Sequence, residues 1–254
     1  MIGNRALLLS YHKAWADLKA ETERYFAGFA WWFFEPILHM VTNYVVFSLL
    51  LGHNEDNYVA FLLCGLVLWR WIVATVTEGA GSLLTEKWLI QQVYVPKTVM
   101  PSVSLFTHTF KFFLVLMVLM IYLWFNGFSP TWDYLYLPYF LLVFFLVIMS
   151  MSFLLSSVVP FFPDIRMLLD HFFRLAFFLS GIFFSGDNLP AKVKPIFYLN
   201  PFAHLIELTR DVLLNKEVGS LMPLHIILLG ALFVLAIGVS LLKKFDSAYA
   251  KISF

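Results

Sequence analysis

The sequence predicts an all-α membrane protein with six transmembrane helices, and three observations carry that prediction. Of its 254 residues 61% are hydrophobic and only 13% are charged, with 19% aromatic; soluble domains carry roughly a quarter charged residues. The mean hydropathy is +0.82. The apolar residues also fall in runs near twenty long, which suits a hydrocarbon core of about 30 Å. Formal net charge is +1, so nothing global argues for nucleic acid. The one cysteine, Cys64, lies in an apolar run, which excludes a disulfide framework or a thiolate metal site.

The predicted spans are Trp31–Leu51, Tyr58–Thr77, Ser102–Phe125, Leu135–Val159, Met167–Phe184 and Leu221–Leu242. They form one domain, 1–254, uninterrupted by repeats. The apolar stretch Ala6 to Leu9 is too short for a signal peptide, so a cleaved leader is not expected. Residues 1–28 instead read as a helix lying in the membrane interface. Leu7, Tyr11, Trp15, Leu18, Thr22 and Tyr25 recur at intervals of three and four, with Lys13, Asp17, Lys19, Glu21 and Arg24 largely opposite. A helix packed on another subunit would show the same pattern. Lysine and arginine counts orient the chain. Arg5, Lys13, Lys19, Arg24, Lys87, Lys97, Arg166, Lys243, Lys244 and Lys251 fall on one side and Lys192, Lys194, Arg210 and Lys216 on the other, which predicts cytoplasmic N- and C-termini.

Between spans two and three, residues 79–101 form a long inner connection. A short helix, Leu83 to Gln92, is expected there before the Pro96 and Pro101 breaks. Residues 185–220 are too polar to span yet rich in Leu, Ile and Phe, so short re-entrant helices after span five are expected. Asn200-Pro201 begins one of them, with Asn as cap and Pro in its first turn.

Ionisable residues within spans are costly and mark functional candidates. Here they are Glu35, Arg70, Glu78, Lys111, Asp170 and Arg174, with His39, His108 and His171 nearby. Asp170 and Arg174 stand one helical turn apart and are expected to pair, with a channel-lining role as the alternative. Glu207 and Arg210 are expected to pair on the outer helix. Seven histidines show no metal-binding spacing and no phosphate-cradling G-x-x-x-x-G-K-[ST] loop occurs, so neither a metal site nor ATP hydrolysis is expected on this chain.

Three stretches give the sequence a family likeness. They are Gly28-Phe-Ala-Trp31 followed by Glu35-Pro36 and His39; Tyr94-Val95-Pro96-Lys97 with Pro101; and Phe162-Pro163-Asp164 followed by Leu189-Pro190, Asn200-Pro201, His204, Glu207 and Arg210. In order and spacing, over almost the whole chain, they resemble type-2 ABC exporter permeases of the branch that exports capsular polysaccharide, O-antigen and teichoic acid. Ala27 departs from the leucine common before that glycine.

The resemblance implies a bacterial inner-membrane location and two copies of this chain pairing with two copies of a separate ABC ATPase that binds ATP and Mg. It also implies a channel between the permeases, with spans one and five beside it and an inner coupling helix. Trp31, Trp32, Arg70, Phe173, Arg174 and Phe177 are then channel candidates, because sugar C–H groups pack on aromatic faces. Glu86, Lys87, Trp88 and Ile90 are expected at the ATPase. The substrate implied is a lipid-linked polysaccharide, with a periplasmic export protein as a further partner. An acidic capsule-type polymer is favoured, since Arg70, Lys111 and Arg174 would ease an anionic chain through a low-dielectric wall; O-antigen or teichoic acid comes next. A drug or small-lipid exporter of the same fold is a further alternative. An integral-membrane sugar transferase fits least, because Glu86 and Asp164 are isolated in the inner loops, where such enzymes cluster acids around a divalent ion.

Overall fold

The computed structural model describes residues 2–24, 28–46, 57–214, 219–249 and 251. Helix α1 (Ile2–Arg24) leads, and a 3-10 turn (Gly28–Ala30) turns the chain into α2 (Trp31–Tyr44). Next come α3 (Tyr58–Thr85), the short α4 (Lys87–Gln92), α5 (Val99–Phe125), a 3-10 turn at Trp132–Tyr136, α6 (Leu137–Val158) and α7 (Asp164–Leu179). The last elements are a 3-10 turn at Gly186–Asn188, α8 (Lys194–Phe197), α9 (Pro201–Leu213), α10 (Met222–Lys244) and α11 (Asp246–Tyr249). Among the described residues there is no strand.

Proline and capping residues set several boundaries. Pro101 sits in the first turn of α5, Pro138 in that of α6 and Pro223 in that of α10, where their missing N–H costs nothing. Asn200 caps α9, its side chain accepting from the Phe202 N–H at 3.0 Å, as the sequence led us to expect. α3 runs two turns past the expected Thr77, and the chain redirects at Glu86. The inner helix therefore begins at Lys87 rather than Leu83.

Among the described residues four segments are long and apolar enough to cross a membrane: α3, α5, Trp132–Val158 and α10. The helices at expected spans one and five are shorter. α2 has 14 residues and α7 has 16, about 21 and 24 Å of rise. Part of span one, 47–51, lies outside the described residues. For span five the expected Met167–Phe184 becomes Asp164–Leu179, because Gly181 adopts φ +68° and breaks the helix.

α3 is the central element, packed between α5 and α6, while α10 covers the other side of α6. Gly79 of α3 lies directly against the Ser152 hydroxyl of α6, the small-residue contact that lets membrane helices approach closely. α1 crosses α5 with Ser10, Ala14 and Leu18 buried, leaving Leu7, Leu8, Tyr11 and Trp15 exposed on its outer side. That exposed apolar face suits a helix lying against lipid. One end of the bundle gathers α1, α4 and α11, whose Ala14, Ile90 and Tyr249 share a core cluster. The other end carries α9, packed against α3 and α6.

Candidate functional site

Two openings flank the middle of α3. Val67, Arg70, Trp71 and Ala74 recur at helical spacing and line a cavity of about 320 Å³ with Glu21, Trp32, His108, Lys111, Phe112 and Val115. Trp69, Arg70, Val73 and Ala74 line a groove of about 590 Å³ with Asp170, Phe173, Arg174, Phe177 and Phe178 of α7. Arg70 and Ala74 serve both. Five of the six channel candidates thus converge here: Trp32 in the cavity, Phe173, Arg174 and Phe177 in the groove, and Arg70 in both. Trp31 lines neither and is exposed.

The aromatic wall of the groove is built around Trp69. Its ring meets Phe173 edge-on at 6.0 Å and Phe202 at 5.9 Å, with Phe177 tilted at 6.1 Å. Phe173 is 3% exposed, a packing residue under Trp69, whereas Phe178 is 62% exposed. Phe178 was not a candidate, although it stands one turn from Arg174 on the same face.

Several expected pairings are replaced by others. Asp170 and Arg174 form no ion pair; both are exposed on the groove. An exposed pair at this spacing gains too little to hold two long side chains together. Lys111 is taken by α1, its ammonium donating to Glu21 at 2.6 and 2.8 Å. Glu78 Oε2 and His108 Nε2 stand 2.7 Å apart, joining α3 to α5.

At the α4 end, Trp88 is 70% exposed, beside exposed Val93 and Tyr94. Ile90, expected on this outer surface, is instead 5% exposed, because it faces Ala14, Leu83 and Met100 in the core. Lys87, in the first turn of α4, is half-buried. Glu86 is bound by Lys13 of α1 at 2.9 Å, and Lys13 also reaches Asp17 at 3.1 Å. Burial would lower the Lys13 pKa, but the hydrogen bonds to Glu86 and Asp17 outweigh it and hold the ammonium above its ordinary value. Lys97 is buried, donating to Val95 O at 3.0 Å with Asp246 at 4.0 Å. Tyr249 donates to Ser157 O at 2.9 Å, and burial, reinforced by Asp246, pushes its hydroxyl up to about 12.

At the opposite end, Glu207 and Arg210 do not pair with each other. Both grip the turn after α7. Arg210, 2% exposed, donates to Gly181 O at 3.0 Å and Ile182 O at 3.3 Å, its guanidinium 3.6 Å above the Phe61 ring. Gly65 leaves room for it: a Cβ there would collide with the guanidinium. Glu207 accepts from the Gly186 N–H at 2.9 Å and from the Ser185 hydroxyl at 3.2 Å. Asn200 donates to the Ser180 hydroxyl at 2.8 Å. The turn's backbone needs partners at this depth, and α9 supplies them. Burial lowers the pKa of neighbouring His204, with Glu207 opposing.

Glu35 and Pro36 lie in α2, but their side chains fall outside the described residues. Among the described residues no cluster of three His, Cys, Asp or Glu could hold a metal. The sequence reading missed Lys13, Glu21, Lys97, Asp246 and Tyr249 as partners. Lys97 alone carried a signal, its place after Pro96 in the recognised motif.

A bundle of apolar spans with an open, charged and aromatic-walled groove beside its central helix belongs to the class of membrane transport proteins. The chain is a member of the ABC-2 type transporter family, whose sequence model matches residues 13–214. It is similar to the O-antigen export system permease protein RfbA of Klebsiella pneumoniae, 23% identical over 237 residues covering 93% of this chain and 91% of the relative. The RfbA of Myxococcus xanthus is 24% identical over 222 residues, 87% and 85% of the two chains. The polysialic acid transport protein KpsM of Escherichia coli is 19% identical over 235 residues, 91% of each.

Proposed function

We propose that this chain is the permease of an ATP-driven exporter that carries a lipid-linked polysaccharide outward across a bacterial inner membrane. The observation that carries this reading is the α3–α7 groove. Phe177 and Phe178, backed by the buried Trp69, offer ring faces and edges to sugar C–H groups without fixing the chain in place. Arg70, Asp170 and Arg174 offer polar contacts at membrane depth, where ionisable groups need a functional reason. Two copies of the chain enclose the path, each adding its α2 and α7.

Two copies of a separate ATPase, holding ATP and Mg, supply the energy. The α4 end then faces the cytoplasm with both termini, and the exposed Trp88, Val93 and Tyr94 form the apolar docking patch. The α9 end faces outward, where a periplasmic protein would receive the polymer.

On the polymer, support shifts from a capsule-type acidic chain toward an O-antigen. The argument for an anionic chain used Arg70, Lys111 and Arg174, and Lys111 is already neutralised by Glu21. The relatives named for O-antigen export also match at higher identity than the polysialic acid transport protein. The test is deletion of the chain in its host. Lipid-linked polysaccharide should accumulate on the inner leaflet and return to the surface on complementation. Normal surface polysaccharide in the deletion strain would reject the proposal, and the composition of the accumulated glycan identifies the polymer.

A further inference from the structure

The end of the chain folds back along the α4 end of the bundle, where α11 touches two connections at once. The first residue of α11, Asp246, holds a carboxylate oxygen 4.0 Å from the Lys97 ammonium. Lys97 stands in the connection between α4 and α5, is 3% exposed, and donates to Val95 O at 3.0 Å. The last residue of α11, Tyr249, is buried in one cluster with Ile90 of α4, Val95 and Val99. Its hydroxyl donates to Ser157 O, in the last turn of α6.

Each contact answers a local need. The last carbonyls of a helix lack intrahelical partners, and the Phe161 N–H that would serve Ser157 O bonds Val158 O instead, at 3.0 Å. Tyr249 fills that place. Phe161 is itself clasped by the same segment, edge-on to Phe245 at 5.6 Å and tilted against Tyr249 at 5.3 Å, just before α7 begins at Asp164. Lys97 is the unusual member. A static closure needs no ammonium here, since burying one carries a desolvation cost that an apolar side chain avoids. Its carboxylate partner also stands short of hydrogen-bond distance, so the pair has room to close by about 1 Å.

We propose that α11 is a strap tying the connection after α4 to the foot of α7, with Asp246 and Tyr249 as positioning residues of the transport cycle. When the partner ATPase displaces α4, the Lys97–Asp246 pair tightens and draws α11 with it. Tyr249 and Phe245 then carry that movement through Ser157 and Phe161 to the start of α7, the helix that walls the groove. The inference rests on the reading of α4 as the ATPase docking element, and it adds a second route from that element to the groove.

The test uses the full-length chain with its co-expressed ATPase and reads three quantities: yield of the purified complex, its rate of ATP hydrolysis, and surface polysaccharide in cells. Tyr249→Phe removes one hydroxyl and Asp246→Asn one charge, each keeping the shape of the side chain. Both should keep wild-type yield and ATP turnover, while export falls about fivefold, the scale of one lost hydrogen bond. Ser247→Ala, at an exposed position of α11, should leave export unchanged. A purely structural closure would lower yield or turnover in step with export, and that outcome overturns the strap. Wild-type export in either Tyr249→Phe or Asp246→Asn overturns it as well, with the ATPase reading left standing because the complex still assembles and hydrolyses ATP. Failure of any ATPase to co-purify with the wild-type chain defeats both.

Discussion

Replacing Arg210 with alanine tests how the turn after α7 is held. The guanidinium donates to two carbonyls and covers the Phe61 ring. Leaving two buried carbonyls unpaired costs about 1–3 kcal/mol each, and a desolvated cation–π contact adds about 2 kcal/mol. Against this, the variant no longer buries a charge, a relief of several kcal/mol. The net loss is about 2–4 kcal/mol. At roughly 2–4 °C per kcal/mol, the midpoint of thermal inactivation, followed by size-exclusion chromatography in one detergent, should fall by roughly 5–15 °C. Arg210→Met fills much of the same volume without charge or donors, so the difference between it and Arg210→Ala isolates the packing share of the fall. Gly65→Ala should reproduce the loss, since its Cβ displaces the guanidinium. A midpoint unchanged in Arg210→Ala would refute the clamp.

Cysteine cross-linking to a co-expressed ATPase should succeed from Trp88→Cys and fail from Ile90→Cys, because Ile90 faces the core; equal cross-linking from both would overturn that orientation. Asp170→Ala and Arg174→Ala should each keep wild-type folded yield, measured by fluorescence of a fused reporter, since neither side chain depends on the other; a loss in both that exchanging the charges, Asp170→Arg with Arg174→Asp, rescues would restore the pair. The Lys13 link makes a pH-dependent contribution. Its folded pKa is raised, so the stabilisation is fully present below the ordinary lysine value of 10.5 and is lost as pH rises through the higher folded value. Midpoints of wild type and Lys13→Met should therefore differ at neutral pH and converge at strongly alkaline pH; a constant gap would contradict the linkage.

The long apolar segments were legible because burial in lipid leaves a one-dimensional record. α3, α5, α6 and α10 follow hydrophobic runs, and Asn200-Pro201 announced the start of α9 through local capping chemistry. What escaped depended on contacts between distant elements. Spacing alone suggested that Asp170 would meet Arg174 and Glu207 would meet Arg210. Spacing cannot show that Arg210 and Glu207 have a carbonyl- and amide-rich turn to satisfy first. Ile90 was misplaced for a related reason: six residues of α4 carry too little periodicity to say which side meets the core. The Lys13–Glu86 and Glu21–Lys111 bridges join residues far apart in sequence, and nothing in the charge pattern of α1 singled them out. In the groove the sequence reading reached Arg70, Arg174 and Phe177, while Phe173 proved to be packing and Phe178 the more exposed ring.

The central claim is that polymer passes along the face shared by α3 and α7, and photo-cross-linking during export tests it most directly. A photoreactive amino acid at position 178, on the groove, should attach to the polysaccharide in cells with the ATPase active. The same group at Ile226, exposed on α10 away from the groove, should attach only to lipid. Polymer captured at 226 and not at 178 would contradict the account.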